Sequence, residues 1–257
     1  MHRDELVARA DDNYYAAFRR LAAALDGGEV VESDGMLVIR TGLPVAMFNI
    51  AFVTRPLADP PGAVARASAY FDAHGLPFVV RIRAGIDDAA ERAAATCGLP
   101  YRDTVPGMAM ASIPEIPVPP PSLEIRSARD EATLDAHRAV LAESFGMPMD
   151  LVRQLLVTRS LEMLDAEFYV GYVDGEPVAS SALIASDRTA GVWNVGCRPS
   201  HRKRGLGEAL TWHAVRRGAE IGCTTANLQA SEMGQPIYAR MGFQVVAGYR
   251  TFVRDGY

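Results

Sequence analysis

The stretch Arg202-Lys203-Arg204-Gly205-Leu206-Gly207 decides how the second half of this chain is interpreted. It follows a β-rich segment, 192–197, and it opens a segment in which apolar residues recur at four-residue steps, as in a helix. At such a turn the free backbone N–H groups and the helix dipole converge on an anion, and glycine allows the ligand a close approach. The three basic side chains add positive charge around it. The pattern predicts a phosphate site, although a solvated basic turn that caps a helix would use the same residues.

The segments around this turn predict a mixed α/β domain. Asp174-Gly175 joins two β-rich runs and is typical of a hairpin, because both residues tolerate positive φ. The predicted elements are strands at 123–126, 168–173, 178–184, 192–197, 226–228 and 243–253, with helices at 130–143, after Gly205, and at 236–241. Their order is β-α-β-β-β-α-β-α-β, and a loop at 144–148 interrupts the first helical run.

A proline-rich segment at 113–122 separates this domain from the first part of the chain. Its five prolines remove backbone donors and favour an extended linker. When the first part is shifted by about 145 residues, Asn49 lies opposite Asn194 and Gly98 lies close to the position of Gly242. The sequence therefore predicts two domains of one fold, at 1–112 and 123–257, joined by the linker at 113–122.

Composition excludes several classes of protein. The net charge of −5 and the pI of 5.6 argue against a nucleic-acid-binding surface. Three widely spaced cysteines give neither a disulfide framework nor a zinc site, so a reducing cytoplasm is expected. The first 25 residues have the pattern of an amphipathic helix without the apolar core of a signal peptide, and no apolar run is long enough for a membrane span.

The turn and a second motif together resemble a known family. Arg-x-x-Gly-x-Gly between a strand and a helix, preceded by Val195-Gly196-Cys197-Arg198-Pro199, resembles the coenzyme A signature of the GCN5-related N-acetyltransferases (GNATs). The segment 231–243, in which Tyr238 stands three residues before Gly-Phe, is similar to the closing segment of that family, and the element order resembles its fold. The resemblance implies an acetyl-CoA site without a metal ion.

The resemblance also implies which residues contact the coenzyme. A bulge at Gly196 would splay two strands and admit the pantetheine arm, with main-chain contacts from Val195 and Cys197. Ser231 stands where many relatives have Asn, and its side chain reaches less far towards the pantetheine arm. The phosphate contacts implied by the resemblance come from Arg202, Lys203, Arg204, Gly205, Leu206, Gly207 and Glu208.

The resemblance also implies that Tyr238 is the general acid that protonates the departing thiolate. Without the resemblance, this tyrosine would suit a position in the hydrophobic core equally well. A phenol and a thiol differ by about 1.5 pKa units, so the transfer costs roughly 2 kcal/mol before the site changes either group. A base for the amine proton is not assigned. The carboxylates in the right region also suit solvated positions, and water is a further alternative; these carboxylates are Glu143, Asp150, Glu162 and Glu167. The histidines His137, His201 and His213 lack metal-ligand spacing.

The first domain is expected to have lost this chemistry. The segment opposite the phosphate turn, 56–62, lacks the basic residues, contains three prolines and has the acidic Asp59, while Ala94 stands opposite Tyr238. The expectation is an α/β protein of two GNAT-like mixed-sheet domains in tandem, the N-terminal one degenerate. Its predicted activity is transfer of an acetyl group from acetyl-CoA to an amine of a small molecule or peptide. The alternatives are a mycothiol-synthase-like acetyltransferase and a non-catalytic module that responds to coenzyme A.

Overall fold

The computed structural model describes residues 1–254. Helices and strands alternate along these residues in a mixed α/β pattern. The helices are α1 (Arg3–Ala24), α2 (Pro60–Ala73), α3 (Asp88–Thr96), α4 (Glu131–Phe145), α5 (Met149–Leu155), α6 (Leu206–Glu220) and α7 (Gln235–Arg240). The strands are β1 (Glu29–Ser33), β2 (Met36–Arg40), β3 (Ile50–Val53), β4 (Val79–Arg83), β5 (Tyr101–Met110), β6 (Glu124–Ser127), β7 (Ala166–Val173), β8 (Glu176–Ser186), β9 (Thr189–Cys197), β10 (Thr225–Gln229) and β11 (Gln244–Phe252). The predicted mixed α/β fold is confirmed.

Contacts group the chain into two compact units, each made of two segments. The larger unit combines Met1–Ala17 with Met108–Val246, and the smaller unit combines Phe18–Gly107 with the chain from Ala247 onward. This grouping differs from the ranges 1–112 and 123–257 at both ends of the chain. It also places the proline-rich segment 113–122 in the larger unit.

The larger unit is built on strands in the order β10-β9-β8-β7-β6. Strands β10 and β9 are parallel, and the remaining neighbours are antiparallel. Helix α6 packs on β8 and β9, and its Leu206, Leu210 and Ala214 are buried in the core. The four-residue spacing read from the sequence is therefore the buried face of α6.

The first turns of α1 belong to the larger unit because two buried amides hold them there. The Asn13 amide donates to the Ile184 carbonyl at 2.9 Å and to Ser186 Oγ at 2.8 Å, and the Asn227 amide donates to the Ala10 carbonyl at 3.1 Å. A methyl group added at Gly191 would lie 2.0 Å from Asn13 Oδ1, so glycine is required there for the helix to approach β9.

The proline-rich segment is anchored within the larger unit. Ile113 and Ile116 pack against its core, and the Pro117 carbonyl accepts a hydrogen bond of 2.7 Å from Arg216 on α6. Its role is therefore that of a strap on the larger unit as well as a connection.

One helix of the larger unit was not predicted. The loop at 144–148 is present, because Gly146 ends α4 in the left-handed conformation at φ 65° and Pro148 caps the next helix. The helix α5 follows directly, with Val152 and Leu155 buried. Seven residues are too few for a clear helical period, which is why the sequence pattern did not reveal it.

The smaller unit repeats the element order of the larger one. Three strands, a helix, a strand and a helix follow one another from β1 to α3, as they do from β7 to α7. Strands β3 and β4 are parallel, like β9 and β10, and the part of β11 from Tyr249 to Phe252 pairs antiparallel with β4. Residues 249–252 thus complete the sheet of the smaller unit.

Candidate active site

A bulge in β9 distorts the centre of the larger unit's sheet. Opposite β8, the pairing passes from Ser180 with Gly196 to Ala182 with Trp193, so that Asn194 and Val195 form the bulge. Asn194 adopts φ 53°, and its carbonyl accepts a hydrogen bond of 2.9 Å from Ser180 Oγ. The bulge was expected at Gly196 but precedes it. Glycine is required at position 196 because two serine side chains approach it closely. A methyl group there would lie 2.8 Å from Ser144 Oγ and 3.0 Å from Ser180 Oγ.

Strands β9 and β10 separate before the bulge. Their parallel pairing covers the three residues from Thr189 to Gly191 and ends there, although β9 continues to Cys197. The backbone of β9 around Val195 therefore faces a gap instead of a neighbouring strand. Unpaired main-chain groups beside such a gap can bond an extended ligand.

The turn after β9 leads into the N-terminus of α6. Lys203 and Gly205 have positive φ values of 61° and 75°, and Gly205 is the residue that caps the helix. Among the described residues, no side chain accepts a hydrogen bond from this helix end. The first N–H groups of α6 and its dipole are thus available to an external anion.

One cleft of about 540 Å³ joins the helix end, the bulge and Tyr238, and we call it the α6 cleft. Ten of the predicted site residues line it: Val195, Cys197, Arg202, Lys203, Gly205, Leu206, Gly207, Glu208, Ser231 and Tyr238. Arg204 does not line it and is exposed. Gly196 lines it as well, and the sequence did not identify the other walls, which are Ser144, Phe145, Met233, Gly234, Ile237 and Arg240. Four of these six lie in the motif 231–243, so the motif could have indicated them as residues of the site.

Arg202 has contacts that the sequence did not predict. Its Nη2 donates to the Ser144 carbonyl at 3.0 Å and its Nε donates to the Cys197 carbonyl at 3.3 Å. The side chain therefore connects the end of α4 with the end of β9.

Tyr238 lies on α7 with its ring against Phe243, at a centroid distance of 6.1 Å in an edge-to-face arrangement. Burial raises the pKa of its phenol to about 12, against a smaller lowering effect from the Thr211 hydroxyl. The Tyr238 hydroxyl is consequently a neutral proton donor at physiological pH. Cys197 lies in the same cleft, and burial also raises the pKa of its thiol.

Ser231 is occupied within its own backbone turn. Its Oγ accepts a hydrogen bond of 3.1 Å from the Gly234 amide, and its carbonyl accepts one of 2.9 Å from the Gln235 amide. The side chain thereby supports the start of α7 while lining the α6 cleft.

The four carboxylates considered as bases lie outside the lining of the α6 cleft. Glu143 pairs with Arg198 at 3.1 Å, and Glu167 accepts from Arg217 Nε at 2.7 Å. Asp150 and Glu162 are exposed. Glu208, in the first turn of α6, is the one carboxylate among the lining residues.

The three histidines considered in the sequence make packing and hydrogen-bond contacts outside the α6 cleft. His137 is fully buried on α4, its Nδ1 lies 3.0 Å from the Tyr169 carbonyl, and burial lowers its pKa to about 4. His213 packs edge-to-face on Tyr169, and burial lowers its pKa as well. His201 Nδ1 lies 2.9 Å from Ser200 Oγ on the surface. Across residues 1–254 no group of three or more His, Cys, Asp or Glu is arranged to hold a metal ion, and no helix there is long and apolar enough to cross a membrane.

The corresponding helix of the smaller unit is capped by its own residue. The Asp59 carboxylate accepts a hydrogen bond of 3.0 Å from the Gly62 amide at the start of α2, and Pro60 and Pro61 have no N–H to offer. Strands β3 and β4 stay paired along all four residues of β3. Asn49, opposite Asn194, has an extended backbone, and its amide donates to the carbonyls of Leu43, Val45 and Pro77.

Comparisons with known proteins agree with this geometry. The family model of the acetyltransferase (GNAT) domain matches residues 120–238. A GCN5-related N-acetyltransferase from Kribbella flavida has a similar structure, with a TM-score of 0.75 and 18% identity over 97% of this chain and 96% of that one. A second, from Sphaerobacter thermophilus, has a TM-score of 0.62 and 16% identity over 88% and 82% of the two chains.

A tandem GNAT protein from the clavulanic acid biosynthesis pathway, in a structure without AcCoA, has a TM-score of 0.58 and 14% identity over 97% of this chain and 94% of that one. At these identities the solved structures show a shared fold. No sequence match was found among curated proteins. Residues 120–238 thus match the acetyltransferase (GNAT) domain family, and the chain has the fold of the GCN5-related N-acetyltransferases.

Proposed function

We propose that the larger unit transfers an acetyl group from acetyl-CoA to the amine of a small molecule or peptide. The observation that carries this proposal is that one cleft contains an uncapped helix N-terminus with basic residues, a splayed strand and a half-buried tyrosine phenol. The helix end suits a pyrophosphate, the free edge of β9 suits the amide-bearing pantetheine arm, and the phenol suits a departing thiolate.

The α6 cleft has the charge that such a ligand requires. Lys203 and Arg240 line it, and Gly205 leaves open space where another residue would have a side chain. Bound acetyl-CoA would supply the acetyl group as a thioester. The chain itself would hold the phosphates at the N–H groups of Leu206 and Gly207 and keep the arm beside β9.

Proton transfer from Tyr238 is harder than the sequence alone implied. A phenol with a pKa of about 12 and a thiol of about 8.5 differ by about 3.5 units, which corresponds to about 5 kcal/mol. The cleft reduces this difference, because burial disfavours a thiolate as it disfavours a phenolate. Cys197 demonstrates the effect on a thiol in the same cleft.

The incoming amine must be neutral to attack the thioester carbonyl. Glu208 lies at the phosphate end of the cleft, in the first turn of α6, so the proposal assigns no side chain as base and leaves the amine proton to water. The smaller unit is proposed to be a degenerate repeat that binds no coenzyme, because Asp59 occupies the helix end that would otherwise hold a phosphate. The free cysteines suit a reducing compartment such as the cytoplasm.

The test has two parts. Calorimetric titration of the full chain with acetyl-CoA should give one site per chain; two comparable sites would refute the assignment of a silent smaller unit. A panel of amines is then screened for acceptor-dependent release of free thiol. Tight binding of acetyl-CoA without thiol release across the panel would favour the non-catalytic module, and absence of binding would refute the coenzyme site.

A further inference from the structure

We infer that Arg202 is a positioning residue, whose guanidinium fixes the wall of the α6 cleft formed by the end of α4. This role rests on the proposed coenzyme site. It differs from that of a phosphate ligand, which is the role that the resemblance gives to the first basic residue of the turn.

The contacts of Arg202 lie on one edge of its guanidinium. Nε donates to the Cys197 carbonyl at 3.3 Å and Nη2 donates to the Ser144 carbonyl at 3.0 Å. An arginine presents its N–H groups as a rigid planar fork, so two acceptors on one edge fix the orientation of the whole group. The two carbonyls belong to different elements, α4 and β9, that are 53 residues apart at these positions.

The Ser144 carbonyl needs such a donor. It belongs to the last turn of α4, where carbonyl groups have no partner within the helix. A cation at this end also interacts favourably with the helix dipole. Arg202 therefore both satisfies the helix end and pulls it towards β9.

An ion pair holds the same helix end. Arg198 Nη2 lies 3.1 Å from Glu143 Oε1, and the Arg198 amide donates to the Val178 carbonyl at 2.9 Å. Residues 198 and 202 both follow β9, and residues 143 and 144 are consecutive on α4. The segment between β9 and α6 therefore contacts the last turn of α4 through two arginines, Arg198 and Arg202.

This last turn forms part of the cleft. Ser144 and Phe145 line it together with the phosphate turn residues, and Ser144 Oγ lies 2.8 Å from where a methyl group at Gly196 would be, beside the bulge. If Arg202 were lost, the wall would have to be ordered by the ligand itself, and affinity would fall along the whole cleft. The loss would not depend on the phosphates of the ligand.

The experiment compares two ligands that share the thioester and the arm. Acetyl-CoA has phosphates and S-acetylpantetheine has none. Full-length wild-type protein, Arg202→Ala and the contrast variant Lys203→Ala are titrated with both, by calorimetry for acetyl-CoA and by ligand-observed NMR for S-acetylpantetheine. The acetyl-CoA titrations are repeated at several salt concentrations. Circular dichroism checks folding, and Arg202→Lys replaces the alanine variant if that variant does not fold.

We expect Arg202→Ala to weaken both ligands by about tenfold, the factor of one lost hydrogen bond to a charged group. The salt dependence of its acetyl-CoA affinity should fall less than in Lys203→Ala, because the Arg202 guanidinium is directed at the Ser144 and Cys197 carbonyls and contributes only at longer range to the phosphates. Lys203→Ala should weaken acetyl-CoA alone and reduce its salt dependence. Arg202→Lys should lose as much S-acetylpantetheine affinity as Arg202→Ala, because an ammonium cannot bridge the two carbonyls as a fork does.

The inference is overturned if Arg202→Ala, or Arg202→Lys in its place, binds S-acetylpantetheine within about twofold of the wild type while acetyl-CoA weakens. Arg202 would then be a phosphate ligand. Failure of the wild-type protein to bind either ligand would refute the coenzyme site, and the role of Arg202 with it. The two failures are distinguishable because the first requires a wild type that binds.

Discussion

Replacing Tyr238 by Phe removes one hydroxyl from the α6 cleft and leaves the ring in place. The ring packs against Phe243, and a methyl group at Gly234 would approach its Cε2 to 2.7 Å, so the phenylalanine retains the same close neighbours. The hydroxyl's interaction with Thr211 is lost, at about 1 kcal/mol of stability. Acetyl-CoA affinity should stay within a few-fold, since the phosphate and arm contacts do not involve this hydroxyl.

The chemical step should suffer most. A positioned general acid contributes about 10²- to 10⁴-fold, so the single-turnover rate should fall by that factor. This corresponds to about 3 to 5 kcal/mol of activation free energy, comparable with the difference between the phenol and a free thiol. The assay is single-turnover thiol release with an accepted amine, alongside calorimetry and thermal unfolding on the same preparation.

Tyr169→Phe is the matched control. It also removes a hydroxyl from a buried tyrosine of the larger unit, one that donates to Glu167 at 3.1 Å outside the α6 cleft. Its melting temperature should fall while its turnover stays normal. An unchanged single-turnover rate in Tyr238→Phe would remove the phenol from the mechanism.

The pH profile provides an independent check on Tyr238. The phenol is a proton donor only below its pKa, and a pKa of about 12 keeps it protonated from about pH 6 to about pH 10. The ratio of wild-type to Tyr238→Phe rates should therefore be constant over this range. A ratio that declines towards one with a midpoint near pH 9 would contradict the raised pKa.

Three further predictions concern the phosphate turn, the buried histidine and the anchoring of α1. Gly205→Glu should abolish acetyl-CoA binding in calorimetry while circular dichroism stays native. A Cβ at this position meets no neighbour within 4 Å, the positive φ costs only about 1 to 2 kcal/mol, and the carboxylate brings negative charge to the anion site. Retained affinity would place the coenzyme elsewhere. His137 has a pKa of about 4 in the folded protein and about 6.5 in the unfolded chain. Between these pH values the unfolded state binds more protons. The free energy of unfolding should therefore fall by about 1.4 kcal/mol per pH unit as the pH is lowered from about 6.5 to about 4. Urea titrations that show the same slope in His137→Gln would contradict this assignment. Gly191→Ala should lower the free energy of unfolding by about 3 kcal/mol by displacing Asn13, whereas Gly207→Ala, with its nearest contact at 3.7 Å, should leave it almost unchanged; equal urea midpoints would show that Asn13 does not hold α1.

The sequence predicted features whose causes are local. The strand-to-helix turn at 202–207 was recognisable because glycine and basic residues act within a few positions, and the hairpin at Asp174-Gly175 was recognisable for the same reason. The long buried face of α6 likewise produced a readable period. The difference between the first half and the phosphate turn was also visible, because prolines and Asp59 stand in the segment 56–62 itself.

Features that depend on distant partners could not be predicted. A bulge was expected at Gly196, but its place at Asn194 and Val195 is set by the register with β8, which the local sequence does not contain. Asn13 bonds groups more than 170 positions away, so its role required the folded chain. The contact of Arg202 with the Ser144 carbonyl also joins distant segments, and the motif alone indicated only a charge for phosphate.

The two-segment construction of each unit determines when the protein can fold during its synthesis. The smaller unit is made of residues from the first half of the chain, yet its sheet includes the part of β11 from Tyr249 to Phe252. The ribosome must therefore translate residues 108–252 before this early half can close its sheet, and β4 keeps one edge unpaired until then. An unpaired strand edge is a template for aggregation. The exposure of that edge thus lasts as long as translation of the larger unit, so a stall between Met108 and Val246 leaves the half already made incomplete.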